Sequence, residues 1–326
     1  MTGISTVAAV LTAIICMVGG RAAAQEASKC QLQQIASIPV ILRDNRPLVE
    51  VTVNGRKALM LIDTGAERSL LYVDKAIEYG LNPVGGGSSF AGVGGEAGSY
   101  DVTVARFGFG GAEVKNLLFY GLKIAAEPDT IGIFGLDLLG QADVELDIPD
   151  NAIRLFKSMN CHNANMAVWT KEPTFADMYP TGAEFHLKVK LNGVPVNAVL
   201  DSGAQVSFVT LEAATRVGSR PDATSSVGEA SGIGEVKVDT RTTVFKSLAI
   251  GDEEIRNAKL RAGDLFRGKP ETWIDMLRLT GNTTELLLGM DFIRSHRIYV
   301  ATDQKRMFFS YVGGPIFQVT AGAAAH

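Results

Sequence analysis

Histidine and cysteine are scarce in this 326-residue chain, with four of the first and three of the second. No Cys-x-x-Cys or His-Glu-x-x-His spacing occurs, so no metal site and no other cofactor is expected. The histidines, His162, His186, His296 and His326, follow no repeated pattern and receive no role. Basic residues are not in excess. A net charge of −4 excludes the polybasic footprint that nucleic acid or an anionic lipid surface requires. Prolines (11) and aromatics (7%) are modest in number, and the one apolar run near the N-terminus falls short of the roughly 20 residues of a membrane helix.

What is present is glycine, 35 residues of it, and β-branched residues in short runs within a chain that is 46% hydrophobic. This balance supports ordinary cores and an all-β architecture with many tight turns. The apolar stretch at 7–18 is followed by Gly19, Gly20, Arg21 and Ala22-Ala23-Ala24-Gln25. A short apolar core before an Ala-x-Ala site is the pattern of a secretory signal peptide, here residues 1–24. Export to the periplasm or medium is the expectation, and an uncleaved anchor formed by residues 7–20 is the alternative. Loss of the leader removes Cys16. Cys30 and Cys161 then remain, an even pair that permits one disulfide or two separate thiols.

The mature chain is written twice. Residues 49–81 and 187–219 superpose at a constant offset of 138. In the first copy Asn54-Gly55 separates two β-rich runs, and the second run leads into Asp63-Thr64-Gly65-Ala66. In the second copy Asn192-Gly193 stands in the same place, before Asp201-Ser202-Gly203-Ala204. Asn-Gly between β-rich runs is a strong hairpin signal, because both residues accept positive φ. Each Asp therefore lies at the exit of a hairpin's second strand. Glycine-rich segments follow, Phe90-Ala91-Gly92-Val93-Gly94-Gly95 and Ala230-Ser231-Gly232-Ile233-Gly234. Then Phe109 to Asn116 parallels Ile250 to Asn257, and each copy closes on Ile133-Phe134-Gly135-Leu136-Asp137 or Leu287-Leu288-Gly289-Met290-Asp291. The second copy is longer around 262–285, where Trp273, Ile274, Met276 and Leu277 suit an amphipathic helix.

Duplicated Asp-Thr/Ser-Gly after an apolar strand, with an apolar-apolar-Gly partner downstream, resembles the aspartic protease family. The short copies and their Asp-Thr-Gly-Ala and Asp-Ser-Gly-Ala forms are similar to retropepsins. That family builds one site from two subunits, and here one chain supplies both halves. The resemblance implies two small closed β-barrel lobes with a short helix each, related by a pseudo-two-fold axis. It implies lobes at 25–156 and 185–312, joined by a polar linker at 157–184 and followed by a tail at 313–326. Trp169, Phe175 and Tyr179 suggest that the linker docks on a lobe. It further implies a catalytic pair, Asp63 and Asp201, supported by Thr64, Gly65, Ser202 and Gly203. Flaps would be carried by Gly92, Val93 and Gly94 and by Gly232, Ile233 and Gly234. Ala66, Glu67, Ala204 and Gln205 would meet substrate beside the pair.

Two carboxyls a few ångströms apart resist double ionisation and share one proton, the arrangement needed to activate a water against a peptide carbonyl. Ser69 and Ser207 are read as satisfying backbone groups, since no histidine accompanies them. Asp137 and Asp291 are read as caps of the short helices after Gly135 and Gly289. The expected partner is a peptide or protein substrate bound by a monomer, with a membrane involved only if the leader stays on. A catalytically silent peptide-binding module is the alternative.

Overall fold

A computed structural model of the protein describes residues 29–126, 129–179, 184–221, 224–225, 228–230, 232, 236–265 and 283–317. The leader at 1–24, the helix expected near Trp273 and most of the tail lie outside the described residues.

The first half runs β1 (Gln31–Arg43), β2 (Arg46–Val53), β3 (Arg56–Ile62), β4 (Leu70–Tyr72), helix α1 (Val73–Glu78), β5 (Val84–Gly92) and β6 (Gly95–Phe109). It continues through β7 (Ala112–Leu122), β8 (Thr130–Phe134), helix α2 (Leu136–Leu139), β9 (Asp143–Asp147) and β10 (Ala152–Met159). A connecting strand, β11 (Thr174–Asp177), precedes the second half. That half contains β12 (His186–Leu191), β13 (Val194–Leu200), β14 (Phe208–Thr210), helix α3 (Leu211–Arg216) and β15 (Gly228–Ala230). It ends with β16 (Val238–Ile250), β17 (Glu253–Gly263), β18 (Leu286–Leu288), helix α4 (Met290–Ile293), β19 (His296–Ala301) and β20 (Arg306–Tyr311).

The repeated sequence makes repeated structure. Asn54 and Gly55 turn at φ 52° and 86°, and Asn192 and Gly193 at 50° and 80°, the mirror-image turn that matches strand twist. In β12 the exposed Lys188 and Lys190 alternate with buried Leu187, Val189 and Leu191, the period-two pattern of a strand with one wet face. Asn116 and Asn257, paired by the repeat, both sit in the left-handed region at φ 52° and 55°. Each marks the one position where pairing is interrupted within its long hairpin, β6–β7 or β16–β17, with the register unchanged on either side.

Each half closes on itself. The first barrel is the ring β2-β3-β8-β4-β7-β6, completed by pairing of β6 back to β2. The second is β12-β13-β18-β14-β17-β16, completed by β16 on β12. Both contain the same two parallel pairings, β3 with β8 and β4 with β7 in the first, β13 with β18 and β14 with β17 in the second. One buried cluster runs through both barrels, including Met60, Phe107, Phe119 and Phe134 in the first and Leu200, Phe245, Leu260 and Leu288 in the second.

The terminal strands of the two copies do not stay with their own barrels. They meet in a sheet ordered β11-β20-β19-β9-β10-β1, in which β19 pairs antiparallel to β9. A compact charge cluster sits on it. Glu145 and Asp147, both almost fully buried, are held by Arg154 of the first half and Arg297 of the second, at 2.6–3.3 Å. Paired and hydrogen-bonded in this way, buried charges are tolerated; losing one partner would leave the others uncompensated. The connecting segment docks here as well. Trp169 donates from Nε1 to Ser310 Oγ at 2.9 Å and lies under the Arg297 guanidinium. Phe175 packs against Phe308.

Cys30 and Cys161 are joined in a disulfide across a sequence separation of 131, which resolves the choice left open by the sequence. It staples the start of β1 to the connecting segment. Chain-entropy arithmetic for so long a loop gives a stabilisation of about 5 kcal/mol at most. Replacing both cysteines with serine is expected to lower the unfolding free energy by about 2–5 kcal/mol, read from urea unfolding curves. An unchanged midpoint would show that the linkage constrains little.

Candidate active site

Asp63 and Asp201 leave the ends of β3 and β13, and each backbone N–H is pinned to the neighbouring β-strand. Asp63 N donates to Phe134 O at 3.1 Å and Asp201 N to Leu288 O at 3.0 Å. Both side chains are half-buried between the lobes. Each carboxylate is gripped by its own loop: Gly65 N donates to Asp63 Oδ1 at 2.8 Å, and Gly203 N and Ala204 N donate to Asp201 Oδ1 at 2.9 and 3.0 Å.

The two loops face each other at close range. A Cβ built on Gly65 would lie 2.7 Å from Asp201 Cγ, and one on Gly203 would lie 2.5 Å from Asp63 Cγ. Glycine is therefore required at both positions, and the carboxyls are necessarily neighbours. Below them the hydroxyl residues interlock. Thr64 N donates to Ser202 Oγ and Ser202 N to Thr64 Oγ1, both at 3.0 Å. The Thr64 hydroxyl donates onward to Leu200 O at 2.6 Å and the Ser202 hydroxyl to Ile62 O at 2.9 Å. Thr64 and Ser202 are buried, so losing either hydroxyl strands polar backbone groups at about 1–3 kcal/mol each.

The electrostatics follow from that proximity. Burial raises the pKa of Asp63, against the lowering pull of the Gly65 N–H. Burial also raises Asp201, well above the ordinary carboxylate range, and the negative Asp63 alongside pushes in the same direction. The pair therefore retains a proton at pH values where isolated carboxylates have lost theirs.

A second layer supports the loops. Ser69 Oγ accepts from Gly135 N at 2.9 Å and donates to Asp137 Oδ1 at 2.5 Å, while Ser69 N donates to the same oxygen. Ser207, Gly289 and Asp291 repeat the arrangement at 2.9, 2.6 and 2.8 Å. Asp137 and Asp291 are thus not helix caps, as the sequence suggested. Neither α2 nor α4 has a side-chain cap, and the N-cap positions belong to Gly135 and Gly289. The aspartates sit one residue further in and reach sideways to the serines. Gly135 and Gly289 are required for another reason: a Cβ there would press within 2.7 Å of Arg68 or Val206 backbone.

The glycine-rich segment of the first lobe is the tip of the β5–β6 hairpin, turning at Val93 and Gly94, the latter at φ 85°. It crosses to the second lobe. Gly94 O accepts from Val236 N at 3.1 Å, and Val93 packs beside Phe208, Val238 and Leu265. Gly232 lies against the Val93 backbone. Ile233 and Gly234 lie outside the described residues.

Ala66 and Ala204 are half-buried, and their carbonyls accept from Leu136 N and Met290 N. Glu67 is exposed. Gln205 is engaged elsewhere: its Nε2 donates to Asp44 O at 2.7 Å, and its carbonyl accepts from Asn45 Nδ2. The β1–β2 turn of the first lobe thus clasps the loop that carries Asp201. Sequence reasoning missed Asn45 and Arg294, which contacts it at 3.4 Å. Asp44 and Asn45 both adopt positive φ and lie outside the repeated segments, so the repeat did not mark them.

Asp291 is 2% exposed, and burial raises its pKa to about 6. The folded protein then binds more protons than the unfolded chain between about pH 4 and 6, so this group's contribution to stability falls as pH rises through that window. Asp291→Asn keeps an acceptor for Ser207 and removes the charge. It is expected to stabilise the protein by about 2 kcal/mol near pH 7 and by nothing near pH 4, in urea unfolding at the two pH values. Equal effects at both would refute the assignment.

A family model described as aspartyl protease matches residues 49–138 and 187–292. No curated protein matches the sequence. Among solved structures, the crystal structure of aspartic proteinase from Irpex lacteus matches with a TM-score of 0.48 and 12% identity, covering 89% of this chain and 99% of that one.

Proposed function

The chain belongs to the aspartyl protease family, and from that premise we propose that it is an endopeptidase whose Asp63 and Asp201 together activate a water against a peptide carbonyl. One observation carries the reading: each carboxyl is packed against the other loop's glycine, at a separation that admits no side chain. The ionised member takes a proton from the water while the protonated member donates to the carbonyl oxygen. No covalent intermediate is formed. The cross-braced Thr64 and Ser202 hold both loops still, so the pair needs little reorganisation as charge moves.

The β5–β6 hairpin and its counterpart beginning at β15 serve as flaps in this reading. Substrate enters as an extended strand once the first tip releases Val236, and closure excludes water. Because a single chain supplies both carboxyls, the monomer is the active unit. The Cys30–Cys161 disulfide supports an oxidising location, either periplasm or medium.

Asp63→Asn and Asp201→Asn, made separately, are each expected to reduce peptide-library cleavage at least ~10³-fold, with binding of a statine-type transition-state mimic weakened in parallel. A variant that retained the wild-type rate would end the shared-proton mechanism. A folded wild-type protein that binds peptides without cutting any would favour the silent binding module. The raised pKa values of the pair predict activity on the acid side, with a fall as pH rises and the shared proton is lost. A pH–rate profile checks the direction.

A further inference from the structure

The two barrels are alike enough that the register of their strands identifies equivalent positions, and at one pair of positions the lobes differ in kind. Leu70 on β4 pairs with Tyr120, and Phe208 on β14, which occupies the same place after its Asp, pairs with Arg261. Two residues further along, Leu122 pairs with Ser99 and Gly263 with Thr240. Stepping back two residues on those strands gives Ala97 and Val238, whose partners are Phe90 and Ala230. In the first lobe the site is filled by aromatic rings, Phe90 and Tyr120, with centroids 4.8 Å apart. In the second it holds Ala230 and Arg261, so a ring has been replaced by space and a guanidinium.

Arg261 is underused. A guanidinium carries five N–H donors, and among the described residues this one makes a single side-chain hydrogen bond, from Nη1 to Thr240 Oγ1 at 3.2 Å. Its Nε is buried without a partner. No carboxylate pairs with it among the described residues. The Gly228 backbone lies flat against the guanidinium, where a Cβ would collide with Nη1. Beside it, the apolar group Phe208, Val238 and Leu265 lowers the local dielectric, which strengthens any charge-assisted bond formed there. Its place relative to the carboxyl pair is fixed by two strands. Phe208 follows the Asp201 loop directly, and its partner Leu287 precedes Leu288, whose carbonyl holds Asp201 N. Arg261 pairs directly with Phe208, whose apolar group is met by Val93 at the tip of the first lobe's hairpin, so the guanidinium lies beneath β15 beside the surface that the other lobe's tip covers. A half-buried cation that none of the described residues neutralises is unfavourable unless something anionic completes it.

We propose that Arg261 forms a subsite for an acidic side chain, so that the substrate is a peptide carrying Asp or Glu at one position on one side of the scissile bond. The inference rests on the endopeptidase reading for its setting and on the strand register for its location. Peptide pairs differing only as Glu or Gln, with the exchange moved through each position around the cut, test it. In wild type the Glu peptide is expected to be cut with a kcat/KM about 10-fold higher at a single position. The ratio within each pair serves as an internal control for variants of altered overall activity. Arg261→Met should bring it to one, Arg261→Lys should retain part of it, and Arg261→Glu should shift preference to a Lys peptide. Equal cleavage of Glu and Gln at every position in wild type, or a ratio that survives Arg261→Met, overturns the subsite. If wild type cuts no peptide, the endopeptidase reading fails by itself, and the subsite is judged by fluorescence anisotropy of the same labelled pairs. Tenfold tighter binding of a Glu peptide that disappears in Arg261→Met supports it, and equal affinities reject it.

Discussion

The Thr64 and Ser202 hydrogen bonds decide how the two halves of this protein face one another. Each amide donates to the other residue's hydroxyl oxygen, and each hydroxyl donates to a strand-end carbonyl of the opposite lobe. All four bonds are buried, so none exchanges cheaply with water. They clamp the two Asp loops at a distance that only glycine permits. From that follow the crowding of Asp63 and Asp201 and the retained proton. The barrels behave as scaffolds for this clamp. Their parallel strand pairs bring an apolar strand, its Asp and the supporting glycine that follows β8 or β18 into one place, twice.

Around this symmetric centre the chain has become unequal. The second loop is held from outside, by Asp44 and Asn45 of the β1–β2 turn. Asp291 is sealed where its counterpart Asp137 is half-exposed. Aromatic rings in one wall correspond to a guanidinium in the other. A duplicated site made of identical halves must present the same surface to both ends of a bound strand, although a peptide has direction. A single chain is free of that restriction, and the differences lie close to the carboxyl pair, where they bear on what is bound.

Much of the candidate site was legible in the sequence, because its signals are local and occur twice. Asn-Gly turns, the Asp-Thr/Ser-Gly-Ala loops and the closing glycines each span a few residues, and the constant offset ties the copies together. Two closed all-β barrels followed from the same repeat. What stayed hidden depends on distant partners. Asp137 and Asp291 stand where a cap could be, and only the strand geometry shows them turned to Ser69 and Ser207. The pairing of β9 with β19 leaves no local mark. Arg261 looks like any exposed strand arginine until the register sets it opposite Phe208. The disulfide was permitted by counting cysteines and needed the fold to bring Cys30 to Cys161.

The sheet shared by the two halves has a consequence for the order in which the molecule is made. Most barrel contacts are between strands near in sequence, so the first barrel is able to form while the rest of the chain is still being synthesised. The shared sheet is different, since it joins β1 near the start to β20 near the end, and its Arg297–Glu145 bond spans 152 residues. That sheet is completed only when the last strands emerge. Until then the lobes lack their common frame, and Asp63 has no settled neighbour. Assembly of the carboxyl pair is thereby delayed to the end of synthesis, after every other element of both barrels is in place.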